Sequence, residues 1–269
     1  MPERPFRYLE RHLVIGNGES RSWFKPRKLK TATTWACNAA YRDGIVDNLV
    51  AVDAGMQQEI YKSDYPIDNV CWFEDWSQIP TEVGENFYLT CTDEISYAGS
   101  PNDSDTCVIR GSDIDVNEQI GKLIYQFPDL DEKDLQAKLQ KEVGLYVTWM
   151  KSNDKVKNID FPKGWSAGAT AAHLACQQGA EEVYMLGFDL SNYSEPLNNI
   201  YKDTDNYLSA SAKGFNPINW MNQLQAVFGE FRNVQFYWVD WVYSTPPCYN
   251  HSNVGYLTKT EFCDTLNIL

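Results

Sequence analysis

The feature that most constrains this chain is a recurring short apolar run that stops abruptly at Gly, Asn or Asp. Residues 11–16 (Arg-His-Leu-Val-Ile-Gly) are the first, and 33–38 (Thr-Thr-Trp-Ala-Cys-Asn) the second. Residues 48–53 (Asn-Leu-Val-Ala-Val-Asp), 68–73 and 87–91 follow, and 182–189 (Glu-Val-Tyr-Met-Leu-Gly-Phe-Asp) and 234–239 complete the set. Such runs lack the in–out alternation of a sheet with one wet face, so they predict parallel strands covered on both sides. Their polar ends then gather at the sheet edge where ligands bind in open α/β folds.

Helical patterns lie between these runs. Residues 168–179 are small and end in Gly179, as a tightly packed crossover helix would. From Pro217 through Trp220, Leu224, Val227 and Phe228 the spacing is helical, and 131–151 carries Leu135, Leu139, Val143, Tyr146 and Met150 on one face. The turn-rich stretch from Ser96 to Ser112 leads into that region. The expectation is a single α/β nucleotide-binding domain over 1–269, with a mainly parallel Rossmann-like sheet, helices on both faces, and an inserted helical lobe or lid at about 95–160.

Composition narrows the class. The chain has 269 residues, 43% hydrophobic, with 37 acidic and 23 basic side chains for a net charge of −14. That excludes wholesale disorder and a nonspecific nucleic-acid coat. With no run of eighteen apolar residues and a charged beginning, neither a membrane span nor a signal peptide is expected. Seven cysteines without a C-x-x-C pair argue against a disulfide framework or zinc site, and so for a reducing, cytoplasmic setting. Against the acidic total, residues 1–30 hold eight basic side chains and three acids.

Three motifs carry potential chemistry. Gly16-Asn17-Gly18-Glu19-Ser20 follows the first strand, where two glycines admit a ligand to the backbone and a following helix start offers amides to a phosphate. It lacks the third glycine of the dinucleotide fingerprint. Gly164-Trp165-Ser166-Ala167-Gly168 opens the small-residue helix, with Ser166 as a candidate cap. Gly187-Phe188-Asp189 delivers an acid to the ligand edge and precedes the polar run from Asn198 to Tyr207.

The order of G-N-G-x-S, Cys37-Asn38, an acid at Asp53, Ser166-Ala167-Gly168 and the run 180–189 resembles one group. It is similar to the bacterial CMP-sialic-acid-dependent lipooligosaccharide sialyltransferases and the related 6-hydroxymethylpterin diphosphokinase-like proteins, over residues 12–60 and 162–195. The resemblance implies nucleotide contacts from Asn17, Gly18, Asn38, Ser166, Ala167 and Gly168; Ser20 and Asp53 are further nucleotide-binding candidates. Asp53 stands where that family carries an asparagine, replacing a donor–acceptor with an acceptor. The family's tyrosines after G-x-D are unmatched at Leu190 and Ser191, leaving Tyr193, Tyr201 or Tyr207 for the leaving phosphate. Its histidine base has no counterpart in 209–220.

The expected activity is therefore that of a glycosyltransferase, moving a sugar from a CMP- or UDP-linked donor to the hydroxyl of a glycan or other acceptor. Asp189, Tyr201 and Tyr207 are the catalytic candidates. Arg21, Arg27 and Lys28, just after the glycine turn, are candidates for steering a phosphate or a nucleic-acid acceptor. Asp203-Thr204-Asp205 has D-x-D form, but Asp113–Asp115 and Asp129–Asp131 share it, so no metal or other cofactor is expected and Mg²⁺ is not favoured. The alternatives are glycosylation of modified bases in DNA, a pterin-type diphosphokinase, and a nucleotide- or glycan-binding protein without catalysis.

Overall fold

A computed structural model describes residues 9–76, 95–100, 102, 106–111, 145–160, 162–190, 195–214, 216–240 and 251–268. The chain divides into two compact units, one formed by residues 1–50 and 163–269, the other by 51–162.

The first unit is built on parallel strands. In chain order these are β1 (Arg11–Ile15), β2 (Thr33–Cys37), β3 (Asn48–Ala51, which closes this segment), β9 (Glu182–Leu186), β10 (Gln235–Val239) and β11 (Val254–Leu257). Their spatial order is β11-β10-β9-β1-β2-β3. Val14 pairs with Trp35 on one side and Met185 on the other. Leu13, Val14 and Ile15 are all fully buried. Successive side chains point to opposite faces, so both faces are covered, as the unbroken apolar runs require.

Helix α3 (Ala167–Gln177) packs on β1, β2 and β9, and α4 (Ile218–Glu230) packs on α3. The alanines of α3 bring its backbone close to the sheet. α5 (Lys259–Leu266) starts with a reciprocal cap: Glu261 N donates to Thr258 Oγ1 at 3.2 Å, and Thr258 N donates to Glu261 Oε2 at 2.8 Å. Two short 3₁₀ turns, Glu19–Arg21 and Asn38–Arg42, follow β1 and β2 in place of long crossover helices.

The second unit holds α1 (Ala54–Lys62), α2 (Tyr65–Asp68), a parallel pair β4 (Val70–Glu74) and β8 (Val156–Ile159), and a three-stranded sheet. In that sheet β7 (Leu145–Met150) lies between β5 (Ile95–Ala98, parallel) and β6 (Thr106–Gly111, antiparallel). Residues 145–150, expected as the end of a helix, are thus a strand, and the described parts of 95–160 contain β5, β6, β7 and β8. Val147, Thr148, Trp149 and Met150 are buried in succession. A strand covered on both faces shows no alternation, so the i, i+4 matches at Tyr146 and Met150 misled the helical assignment. Residues 112–144 and the strand expected at 87–91 lie outside the described residues. Among the described residues no helix is long and apolar enough to cross a membrane.

Candidate functional site

The strand order has a switch point between β1 and β9. From β1 the chain moves to β2 and β3 on one side; from β9 it moves to β10 and β11 on the other. The carboxyl ends of two strands that part in this way leave a crevice, the standard ligand position in open α/β sheets. Here a cleft of about 180 Å³ lies at that position, lined among others by Asn17, Gly18, Asn38, Gly168, Asp189 and Trp220.

The glycine turn owes its glycines to close approach of β9. A Cβ on Gly16 would stand 2.6 Å from Gly187 O, and one on Gly18 would stand 2.4 Å from Asp189 Cγ. Its amides are already used. Gly16 N donates to Leu186 O, Gly18 N to Gly187 O, Glu19 N to Asn198 Oδ1 and Ser20 N to Asp189 Oδ2, at 2.8–2.9 Å. The turn is thus a splice between two strand ends, and these four amides are not offered to a phosphate.

Unengaged amides lie instead at the start of α3. The amides of Ala167, Gly168 and Ala169 precede the first helical bond, from Thr170 N to Ser166 O, and all three residues line the cleft. Free amides and the helix dipole favour an anion at such an end. Ser166 occupies the cap position, yet its Oγ donates to Gln223 Oε1 at 2.9 Å instead of capping the helix. Gly168 is required by Phe188, whose ring would lie 3.1 Å from a Cβ there. Leu224 and Trp220, one turn apart on α4, close the apolar side.

Asp189 lines the cleft but its carboxylate is engaged. Ser20 donates to it through both N and Oγ, and the residue is buried. Through Ser20 it joins two loops. Asn17 is likewise committed: Nδ2 donates to Cys37 O at 3.2 Å and to Tyr207 Oη at 3.3 Å, while Oδ1 accepts from Arg21. Asn38 differs. It takes a left-handed backbone conformation with φ 52°, and its buried Oδ1 has no hydrogen-bond partner. A buried acceptor left unmade costs free energy and marks a place where a ligand donor can be received.

Arg21 is 1% exposed and sits behind the turn. Its guanidinium donates to Gly16 O at 2.5 Å, Tyr201 Oη at 2.9 Å and Asn17 Oδ1 at 3.3 Å. Tyr201 Oη in turn donates to Asp43 Oδ2 at 2.6 Å; burial, helped by Asp43 and opposed by the Arg21 charge, raises its pKa well above a free phenol. Tyr207 Oη accepts from Ala39 N at 3.3 Å. Neither tyrosine is among the residues that line the cleft; Tyr207 bonds to Asn17, which does, and Tyr201 to Arg21 behind the turn.

Of the residues expected from sequence, the cleft gathers Asn17, Gly18, Asn38, Ser166, Ala167, Gly168 and Asp189. Ser20 touches it only through Asp189, and Asp53 belongs to the second unit as the exposed residue preceding α1. Arg21 is interior, and Arg27 and Lys28 are exposed without lining the cleft. Among the described residues, no Lys or Arg lines it. Asp203 Oδ1 accepts from Ala210 N at 2.8 Å and closes a turn, and no described group of three or more His, Cys, Asp or Glu has metal-site geometry.

The histidines and thiols are not poised for catalysis there. His12 Nδ1 accepts from Trp35 Nε1 at 3.0 Å, which fixes the neutral ring, and burial lowers its pKa against the pull of Glu10 and Asp47. His173 packs edge-on against Trp165 and Phe231 with Nε2 3.1 Å from Glu230 Oε1, its pKa again lowered by burial. Burial pushes the Cys37 thiol at the cleft wall up to about 12.

Sequence reasoning missed Gln223 as the partner of Ser166 and Asp43 as the anchor of Tyr201. Only the i+4 step from Trp220 to Leu224 was legible among the α4 contributors. No family model matches the chain, and neither the comparison with curated proteins nor that with solved structures finds a similar one.

Proposed function

We propose that this chain is a nucleotide-sugar-dependent glycosyltransferase whose donor binds in the switch-point cleft. The observation that carries the reading is the convergence of Asn17, Asn38 and the Ser166–Gly168 helix start on one crevice, although they are far apart in sequence. The phosphate belongs at the amides of Ala167, Gly168 and Ala169, which stabilise charge on a departing phosphate without a cation. Asn38 Oδ1 is offered to a donor on the base or sugar, and Trp220 supplies an apolar wall. The acceptor hydroxyl oxygen then bonds to the anomeric carbon as the bond from that carbon to the phosphate oxygen breaks, and the hydroxyl proton passes to the departing phosphate.

A second reading, nucleotide binding without turnover, is favoured by one observation: Asp189, the carboxylate at the cleft, already holds Ser20. Calorimetry with CMP, UDP and ADP, followed by release of free sugar from their nucleotide sugars in EDTA, separates the two. Asn38→Gly keeps the left-handed backbone and removes the amide. It is expected to weaken nucleotide binding about tenfold, roughly the 1.4 kcal/mol of one hydrogen bond, with little change in melting temperature. Equal affinity in wild type and variant would dismiss Asn38; absence of nucleotide binding in the wild type would dismiss both readings.

A further inference from the structure

Between Ser20 and Arg42 the chain contains no Asp or Glu, although it has 37 acids in all. Within that stretch Lys25, Arg27, Lys28 and Lys30 are exposed, and among the described residues none has an acidic side chain within 4.0 Å. What sets these four apart is their density: they lie within six residues on one exposed segment of a chain whose net charge is −14.

The segment carrying them is not a loose loop. Trp23 and Phe24 meet Phe262 of α5 edge-on, with ring centroids 6.2 and 6.5 Å apart, and Phe24 is buried. Lys259 Nζ lies 4.3 Å over the Trp23 ring. Pro26 is buried, and its carbonyl approaches Gly44 so closely that a Cβ there would stand 1.9 Å from it. Thr31 Oγ1 donates to Leu266 O at 2.6 Å. The backbone is therefore pinned at both ends and in the middle, and the Arg27 guanidinium rests 4.9 Å from the Phe24 ring centroid. The cations are presented from a fixed strap.

We infer that this strap is a docking surface for the phosphate backbone of a nucleic acid. A polyanion rewards several preplaced cations together, through release of its condensed counterions, and the strap has little else to offer. Its aromatic rings are turned inward against α5. A lipid surface needs apolar insertion as well as charge; the exposed Ile45 beside Gly44 carries fewer methylenes than a single myristoyl chain, which by itself anchors only marginally. Binding is local and sequence-independent, since the rest of the chain repels a polyanion.

The test is fluorescence anisotropy with a labelled 20-nucleotide DNA and its RNA counterpart, titrated from low to physiological salt. The wild type is expected to bind with a log K against log salt slope of roughly −3, four contacts at about −0.7 each for single strands. A variant with Lys25, Arg27, Lys28 and Lys30 all changed to Ser should lose at least tenfold in affinity at low salt and most of that slope, with an unchanged melting temperature. A control removing Lys62, Lys151, Lys155 and Lys157 makes the same change in net charge in the other unit and should keep both. No wild-type binding at low salt, equal losses in variant and control, or preferential binding to phosphatidylserine vesicles would each overturn the inference.

Discussion

The two halves of the segment from Gly16 to Thr31 use polar groups in opposite ways. From Gly16 to Arg21 the donors turn inward: the amides at Gly16, Gly18, Glu19 and Ser20 and the Arg21 guanidinium are spent on strand ends, Asp189, Asn198 and Tyr201. From Lys25 to Lys30 the backbone is held by apolar contacts while the charges face water. Arg21 and Arg27 are six residues apart with the same side chain, yet one is a hub and the other a surface cation. The planar fork of arginine suits the first role because it can serve several carbonyl and hydroxyl oxygens at once. A positive charge in a phosphate-turn sequence is therefore no guide to where phosphate goes; here the free amides of α3 are the better candidate.

The sharpest way to break that contrast is to remove the hub. Arg21→Met keeps length and apolar volume but leaves Gly16 O, Tyr201 Oη and Asn17 Oδ1 without their donor, and should cost about 3–5 kcal/mol in urea denaturation, at about 1–3 kcal/mol per buried acceptor left unpaired. Next, Gly18→Ala forces a methyl onto the Asp189 carboxylate and Gly187 O; about 3 kcal/mol is expected, since backbone atoms cannot give way cheaply. His12, on the strand entering the turn, gives a pH-dependent version. Its folded pKa lies below 6.5, so the unfolded chain takes up a proton that the folded chain refuses. Stability is then full at pH 7 and falls as pH drops through 6.5, by no more than about 1.4 kcal/mol at pH 5.5. His12→Gln should flatten that part of the profile. At the small end, Arg27→Ala is expected to change stability by less than about 0.5 kcal/mol, and a larger loss would mean that the strap is not the outward-facing half described.

Much of the first unit was legible from the chain because each apolar run that ends in Gly, Asn or Asp is a complete local instruction. The strands expected at 11–16, 33–38, 48–53, 182–189 and 234–239 correspond to β1, β2, β3, β9 and β10, and 168–179 and 217–229 to α3 and α4. β7 was misread because burial on both faces erases the period that separates strand from helix. The Thr258–Glu261 cap of α5 was written in the sequence as T-x-x-E and passed unnoticed. At the cleft, residue types were legible and their partners were not. Asp189, Tyr201, Tyr207 and Arg21 look like chemistry in one dimension, whereas the bonds Ser20–Asp189, Tyr201–Asp43, Asn17–Tyr207 and Arg21–Tyr201 join residues 158 to 190 positions apart.

By itself, then, the sequence determined that parallel, doubly covered strands form, that their polar ends supply glycines, asparagines and one acid, and that residues 20–42 carry no negative charge. Those are local properties of composition and order. Only the tertiary structure decided which of these groups remain free, because a hydrogen-bonding group is available to a ligand only if nothing distant reaches it first. Ser20 reaches Asp189 and Tyr201 reaches Arg21, whereas the first amides of α3, Asn38 Oδ1 and the four strap cations are left for something else.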